Sequence, residues 1–235
     1  MRLWRSQEPS VARQLAFDEA CLKRLDGEPD GVEWLRLWES PAPVVVLGAF
    51  GERAAEVELE ACERDGVPVL RRASGGGTVV LAPGCLCFSL VLSLPARPGL
   101  VTTALSLDWV LERACEGIGR EGLVRAGVSD LTFAGRKVSG SAQRRLRRAL
   151  LHQGTLLYDF DVALAERYLK TPARAPAYRE GRSHARFIGE LPDSAAALEA
   201  GLARSFGARD GPREEPDISQ LMAERYGLEA WHRRR

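Results

Sequence analysis

The sequence predicts an α+β domain, a mixed and mainly antiparallel sheet flanked by helices. Three observations carry that prediction. Residues 85–94 alternate without a break, with Leu86, Phe88, Leu90, Leu92 and Leu94 on one face and Cys85, Cys87, Ser89, Val91 and Ser93 on the other, which marks a central strand. Three more strand-like runs, 130–134, 137–144 and 150–158, follow one another across short turns as an antiparallel meander. Helical and extended segments do not alternate as β-α-β units, which argues against a Rossmann sheet.

The other elements follow in chain order. Val11, Leu15, Leu22 and Leu25 set a helical stripe between Pro9 and Gly27, with Arg13, Asp18 and Glu19 left for solvent. Residues 34–38 alternate as a strand, and 44–48 read as a short buried strand behind Pro41 and Pro43. Residues 54–65 suit one helix stopped by Gly66, and 67–71 are strand-like. Thr102 or Thr103 can cap a helix whose Leu107, Val110, Leu111, Ala114 and Ile118 recur at helical spacing before Gly119. Short helices are expected from Asp161, near Ser194 and from Asp217, with a Pro- and Arg-rich loop over 171–184. The expected organisation is one unit over residues 1–191, with 192–235 as a helical extension of the same domain.

Composition excludes several classes of function. With 45% apolar and 28% charged residues in 235, the chain can bury a large core, and its net charge of +1 gives no global field for nucleic acid or an anionic membrane. No apolar stretch approaches the roughly 18 residues that a membrane helix needs. The N-terminus carries no apolar signal core, so a cytoplasmic location is expected. Five cysteines without a C-x-x-C pair and only three histidines speak against structural zinc and a disulfide framework. Of the 33 basic residues only Lys23, Lys137 and Lys170 are lysine, so each lysine calls for a reason, such as a need for a compact ammonium.

Three segments can carry chemistry. Arg71-Arg72-Ala73-Ser74-Gly75-Gly76-Gly77-Thr78-Val79-Val80 lies between two strands; its side-chain-free amides can line an anion, with two arginines as bidentate donors. It is neither a P-loop nor a dinucleotide fingerprint. In Ser129-Asp130-Leu131-Thr132-Phe133-Ala134-Gly135-Arg136-Lys137-Val138-Ser139-Gly140-Ser141-Ala142-Gln143, strict alternation puts Lys137, Ser139, Ser141 and Gln143 on one face, opposite Val138, Gly140 and Ala142. Ser139 stands where a nucleotidyl lysine motif, K-x-D-G, would need Asp, so no enzyme-lysine intermediate is expected. The third segment, Leu151-His152-Gln153-Gly154-Thr155-Leu156-Leu157, offers His152 as a wall of the site, with a catalytic role as the alternative. No Ser-His-Asp order, paired-carboxylate motif or H-E-x-x-H stands out, and the cysteines read as packing.

Together, in this order and spacing, the three segments resemble the lipoate-protein ligase family of the biotin/lipoate ligase superfamily. Asp18-Glu19-Ala20, Tyr168-Leu169-Lys170 and Arg182-Ser183-His184 extend the resemblance. It implies a fold similar to biotin-protein ligases and the cores of class II aminoacyl-tRNA synthetases. The implied reaction joins lipoate or octanoate to a lysine of a carrier domain, such as that of a 2-oxoacid dehydrogenase or an H protein, through an acyl-AMP made from ATP and Mg2+. By the same resemblance Lys137 is catalytic, and Arg72, Gly75, Gly76, Gly77, Thr78, Val79, Val80, Asp130 and Lys137 hold the nucleotide. The lipoyl group would contact Arg72, Gly76, Gly77, Lys137, Ser139, Gly140, His152 and Gly154, with no metal ligated by the protein.

Two departures from the family pattern have consequences. Many ligases carry a further C-terminal domain for activation, so a separate accessory subunit is an expected partner. Val79-Val80-Leu81-Ala82 replaces the family's V-F-H-D, which leaves acyl-donor preference open. Related octanoyltransferases instead use a cysteine acyl-enzyme fed by acyl carrier protein, with the nucleophile before or after the lysine motif. Residues 122–136 and 138–158 contain no cysteine, which favours the adenylate route. A non-catalytic binder of lipoyl carrier or nucleotide is the third alternative.

Overall fold

The computed structural model describes residues 1–172, 175–212 and 214–234. The chain opens with β1 (Arg2–Arg5) and α1 (Val11–Gly27), whose first turn is capped by the Ser10 hydroxyl. There follow β2 (Trp34–Trp38), β3 (Val44–Leu47), α2 (Arg53–Glu56), α3 (Leu59–Asp65), β4 (Val69–Arg71), β5 (Val79–Leu81) and β6 (Cys85–Ser93). Then come α4 (Thr103–Ile118), capped by Thr102 and ended by Gly119 in the left-handed region, and the strands β7 (Val124–Ala126), β8 (Asp130–Phe133), β9 (Arg136–Arg145) and β10 (Ala149–Leu157). The chain finishes with α5 (Ala163–Tyr168), α6 (His184–Phe187), α7 (Ala195–Ser205), α8 (Ser219–Leu221), a π-helical turn over Met222–Tyr226, and α9 (Glu229–Arg233).

Seven strands form the main sheet in the order β1-β2-β6-β10-β9-β8-β7, antiparallel throughout except for the β1–β2 pair. The fold is thus the α+β class expected, with β6 at the heart of the sheet and the meander beside it. A second sheet, β4-β3-β5, brings β3 between the two arms of the glycine-rich segment. The alternation of β6 sorts the core into two layers. Leu86, Phe88, Leu90 and Leu92 pack with α4 and α7, whereas Cys85, Cys87 and Val91 pack with α1, the second sheet and the C-terminal helices. No helix among the described residues is long and apolar enough to cross a membrane.

Several expectations need correction. The helix expected over 54–65 is broken at Val57, which is extended, fully buried and bridged to Leu169; burying that side chain outweighs helical continuity. β1, β5 and β7, each three or four residues long, are too short to show a periodicity. Asp18 and Glu19 do not face solvent but are both 0% exposed. Residues 173–174 of the expected 171–184 loop lie outside the described residues.

Candidate active site

The glycine-rich segment leaves β4 and returns as β5, and its course is dictated by what grips it. Arg72, only 6% exposed, donates from Nε to Ser74 Oγ at 2.9 Å and from Nη1 to the Val46 carbonyl at 3.2 Å. Its Nη2 donates to the carbonyls of Gly75 at 2.6 Å and Gly77 at 2.8 Å. Arg71 is turned the other way, onto the carbonyls of Gly48, Ala49 and Gly51 and onto those of His232 and Arg234 in the C-terminal segment. Neither arginine therefore offers the free bidentate fork that the sequence suggested. What the segment does offer is backbone: among the described residues the N–H groups of Gly75, Gly76 and Gly77 have no protein acceptor. Gly76 has φ +82°, and a Cβ added there would lie 3.0 Å from Arg72 Nη2. Arg72 lines the slot, and burial lowers its pKa from 12.5 to about 10, so it stays a cation.

Lys137 reaches the same place through a break in strand alternation. β8 and β9 pair as Leu131 with Ser139 but Thr132 with Lys137, which leaves Val138 as an extra residue in a bulge. The bulge turns Lys137 onto the face of Gly140 and Ala142. The strict alternation expected from the sequence, which grouped Lys137 with Ser139, Ser141 and Gln143, does not hold. Lys137 Nζ pairs with Asp130 Oδ1 at 2.8 Å, and Tyr178 donates its hydroxyl to Asp130 Oδ2 at 2.6 Å. Gly140 makes the room: a Cβ there would meet Lys137 Nζ at 3.1 Å and Cε at 3.2 Å. The turn between β8 and β9 is Ala134-Gly135, with φ of 48° and 73°, the type I′ geometry suited to a tight hairpin.

Two cavities meet at Lys137. An inner slot of about 150 Å³ is lined mainly by apolar groups, among them Leu15, Trp38, Val46, Leu81, Cys87 and Phe88, together with Arg72, Gln153 and Gly154. It is continuous with an outer cavity of about 440 Å³ through Gly77, Thr78, Val79, Asp130, Lys137 and Gly140, which line both. The outer cavity also takes in Val80, Ser139, Glu56, Lys170, Arg179 and His184. Two of the three lysines therefore line this cavity. β9 and β10 stop pairing at Ser141–Gly154, and beyond that point the Thr155 hydroxyl reaches the Gly140 amide at 3.4 Å, so the slot enters where the sheet opens.

Of the residues expected from the sequence, Gly75 and His152 line neither cavity. His152 pairs with Gln143 and Leu90 across β9 and β6, on the layer of α4 rather than that of the slot, and it stacks on Phe88 with centroids 5.6 Å apart. Burial lowers its pKa from 6.5 to about 3, which keeps it neutral. It is a packed residue, and the lipoyl-contact role expected of it has no support in its position. Gly154 touches the slot through its backbone, and a Cβ there would lie 2.3 Å from the Phe88 ring.

Sequence reasoning did not single out Gln153, Ser89 and Trp38, which line the slot, Asp18, which lies buried behind it and accepts from Ser89 and Gln153, or Glu56, whose Oε2 accepts the Thr78 hydroxyl at 2.6 Å. A signal existed for Asp18, because it lies on the apolar stripe between Leu15 and Leu22. The described residues contain no group of three His, Cys, Asp or Glu side chains able to hold a metal, and Asp130 is already engaged by Lys137 and Tyr178. The side chains form no cage for Mg2+, which would therefore have to enter on the substrate phosphates. All five cysteines are free; Cys87 lines the slot, and burial raises its thiol well above the usual 9.0.

An apolar slot that ends at a lysine ammonium and unpartnered glycine amides suits a molecule with an apolar chain and an anionic head. Comparison with known proteins gives this geometry a context. The family model of the lipoyl protein ligase A/B catalytic domain matches residues 10–197. The octanoyltransferase LipM of Symbiobacterium thermophilum is 27% identical over 258 residues, covering 94% of this chain and 93% of its own. A putative lipoate-protein ligase A of Aeropyrum pernix is 33% identical over 147 residues, covering 63% of this chain and 53% of its own. Among solved structures, the bi-partite lipoate protein ligase of Thermoplasma acidophilum, studied with its E2 lipoyl domain, superposes with a TM-score of 0.83 at 22% identity, covering 99% of this chain and 95% of that one. A lipoate-protein ligase A bound with ATP gives 0.81 at 23% identity, covering 99% and 98%. These two likenesses establish the shared fold.

Proposed function

The chain belongs to the lipoyl protein ligase A/B catalytic domain family, and from that premise we propose that it joins lipoate or octanoate to a lysine of a lipoyl carrier domain through an acyl-adenylate. The observation that carries this reading is Lys137, held by Asp130 over Gly140 where the apolar slot opens beside the glycine segment. In the first step a carboxylate oxygen of the acyl substrate attacks the α-phosphorus of ATP, and pyrophosphate leaves. The glycine amides and the Lys137 ammonium neutralise the charge gathered on the phosphate oxygens, in a site where water is largely replaced by fixed dipoles. In the second step the carrier amine forms the amide bond while the bond from the acyl carbon to AMP breaks, and the amine proton passes to solvent through the outer cavity. Lys137 stabilises the oxyanion of that step, and the slot holds the chain so that the carbonyl meets the amine.

The full-length relatives named as octanoyltransferases favour a second reading, in which a cysteine acyl-enzyme takes the chain from a carrier protein. That route needs a thiolate beside Lys137. Among the described residues the cysteine that lines the slot is Cys87, with its thiol raised by burial, and residues 122–136 and 138–158 contain none. The adenylate route is therefore the one proposed, with residues 192–235 as an extension of the catalytic unit and a separate subunit as a candidate aid to activation. The test is carrier-domain modification followed by intact mass, fed in parallel with lipoate plus ATP, preformed lipoyl-AMP, and octanoyl acyl carrier protein. Modification from lipoyl-AMP is expected, with or without modification from lipoate plus ATP. Modification from octanoyl carrier protein alone would replace this reading with the thiol route.

A further inference from the structure

Behind the glycine segment runs a chain of buried hydrogen bonds that the acyl-transfer reading does not use. Asp18 of α1 is fully buried, with Arg36 of β2 against one carboxylate oxygen. Its other oxygen accepts from Ser89 Oγ at 2.7 Å and from Gln153 Nε2 at 2.6 Å. A carboxylate can only accept, so Gln153 must turn its amide nitrogen toward Asp18 and its carbonyl away. That carbonyl accepts the Ser74 hydroxyl at 2.6 Å, which leaves the Ser74 oxygen to accept from Arg72 Nε at 2.9 Å. Arg72 in turn holds the carbonyls of Gly75 and Gly77 at 2.6 and 2.8 Å. One buried charge on α1 thereby fixes the direction of each bond out to the glycine segment.

We infer that Asp18 is a positioning residue, which acts through Gln153, Ser74 and Arg72 to hold the glycine segment against the acyl end of the slot. Three glycines in a row have no side chains with which to anchor themselves, so their course must be set from outside. Among the described residues no carboxylate hydrogen-bonds Arg72, whose donors go to Ser74 Oγ and to carbonyls. Two members of the relay, Gln153 and Arg72, line the inner slot, with Asp18 and Ser74 behind them. Hydrogen bonds to an ionised group in such a dry setting are stronger than neutral ones, which makes the relay stiff.

The inference rests on the acyl-transfer reading for its kinetic readout, so its test also includes a readout that does not. Asp18→Asn keeps the volume but offers an N–H group where Gln153 and Ser89 both donate. Because it also leaves Arg36 without its counter-charge, Gln153→Met is the second variant: it cuts the relay and leaves the Asp18–Arg36 and Asp18–Ser89 contacts in place. Both are measured for carrier modification, with KM for the acyl substrate separated from kcat, and for amide hydrogen exchange. The relay predicts KM raised about tenfold, kcat within about twofold, and faster exchange at the amides of Ala49 and Arg72, which donate to the Ser74 and Leu47 carbonyls at 2.8 and 3.0 Å, with α4 unchanged. A role only in folding lowers kcat through the fraction of active protein and leaves KM alone. That outcome, wild-type KM, or unchanged exchange at Ala49 and Arg72 overturns the inference. If the wild-type protein modifies no carrier, the acyl-transfer reading fails by itself, and exchange at Ala49 and Arg72 in the variants still decides whether Asp18 positions the segment.

Discussion

Lys137 is the residue on which the proposed chemistry depends, and its neighbours say which substitutions it tolerates. Lys137→Ala is expected to lower transfer by about 10²- to 10³-fold, the usual cost of one lost oxyanion donor. Lys137→Arg is expected to fail as well, because the planar guanidinium cannot take the compact ammonium's place between Asp130 and Gly140. Transfer to a carrier domain by either variant at the wild-type rate would remove Lys137 from the mechanism. Gly140→Ala tests the same point from the other side. Its Cβ would stand 3.1 Å from Lys137 Nζ at a position without a left-handed backbone, so the fold should hold while the ammonium is displaced. A drop in kcat of about tenfold or more is expected at an unchanged melting temperature, since small misplacements of a reacting group cost that much.

Among the elements, two close approaches separate stability from activity. α4 and α7 cross where Gly117 meets Gly201, and a Cβ on Gly201 would lie 2.6 Å from the Gly117 carbonyl oxygen. Gly201→Ala must push the helices apart, at a cost of about 1–3 kcal/mol, read as a shift in the urea midpoint with KM unchanged. β3 ends at Leu47, and Gly48, the next residue, lies directly under the glycine segment, where a Cβ would lie 2.1 Å from the Gly76 carbonyl oxygen. Gly48→Ala must lift that segment, so here the acyl-substrate KM should rise as well. The strands and helices with long periodic sequences, β6, β10, α1 and α4, were legible before any coordinates, because one repeated contact pattern specifies each. The bulge at Val138 was not, since nothing in the alternation of β9 announces an extra residue; it follows from the need to pair β9 with β8 while turning Lys137 to the slot.

At the scale of the whole molecule, burial of all three histidines gives stability a definite pH dependence. His152 has its pKa lowered from 6.5 to about 3 by burial, and burial also lowers those of His184 and His232. The folded protein therefore holds these rings neutral while the unfolded chain protonates them. The contribution of His152 is fully present above 6.5 and is lost as pH falls from there toward 3, and those of His184 and His232 are lost in the same direction. Each proton bound only by the unfolded chain removes about 1.4 kcal/mol per pH unit. Urea midpoints should fall between pH 7 and pH 5, and His152→Gln should make that decline shallower; an equal slope in the variant would contradict the burial argument. The C-terminal segment belongs to the same scale: Glu19, fully buried on α1, accepts from Tyr226 at 2.7 Å and pairs with Arg225, while Trp231 Nε1 donates to the Arg71 carbonyl at 3.0 Å.

The sequence alone determined the fold class, the glycine segment, the lysine motif and their order, because these rest on local periodicity and on residue types that few other settings require. Only the tertiary structure decided which groups face the slot. It moved His152 to the opposite layer, assigned Arg71 and Arg72 to backbone carbonyls, turned Lys137 with a bulge, and drew Asp18 from an expected solvent face to a buried position behind the slot. The reason is physical: the face a side chain takes, and the partners that use up its hydrogen bonds, are set by strands and helices far away in the chain, and no local pattern encodes them.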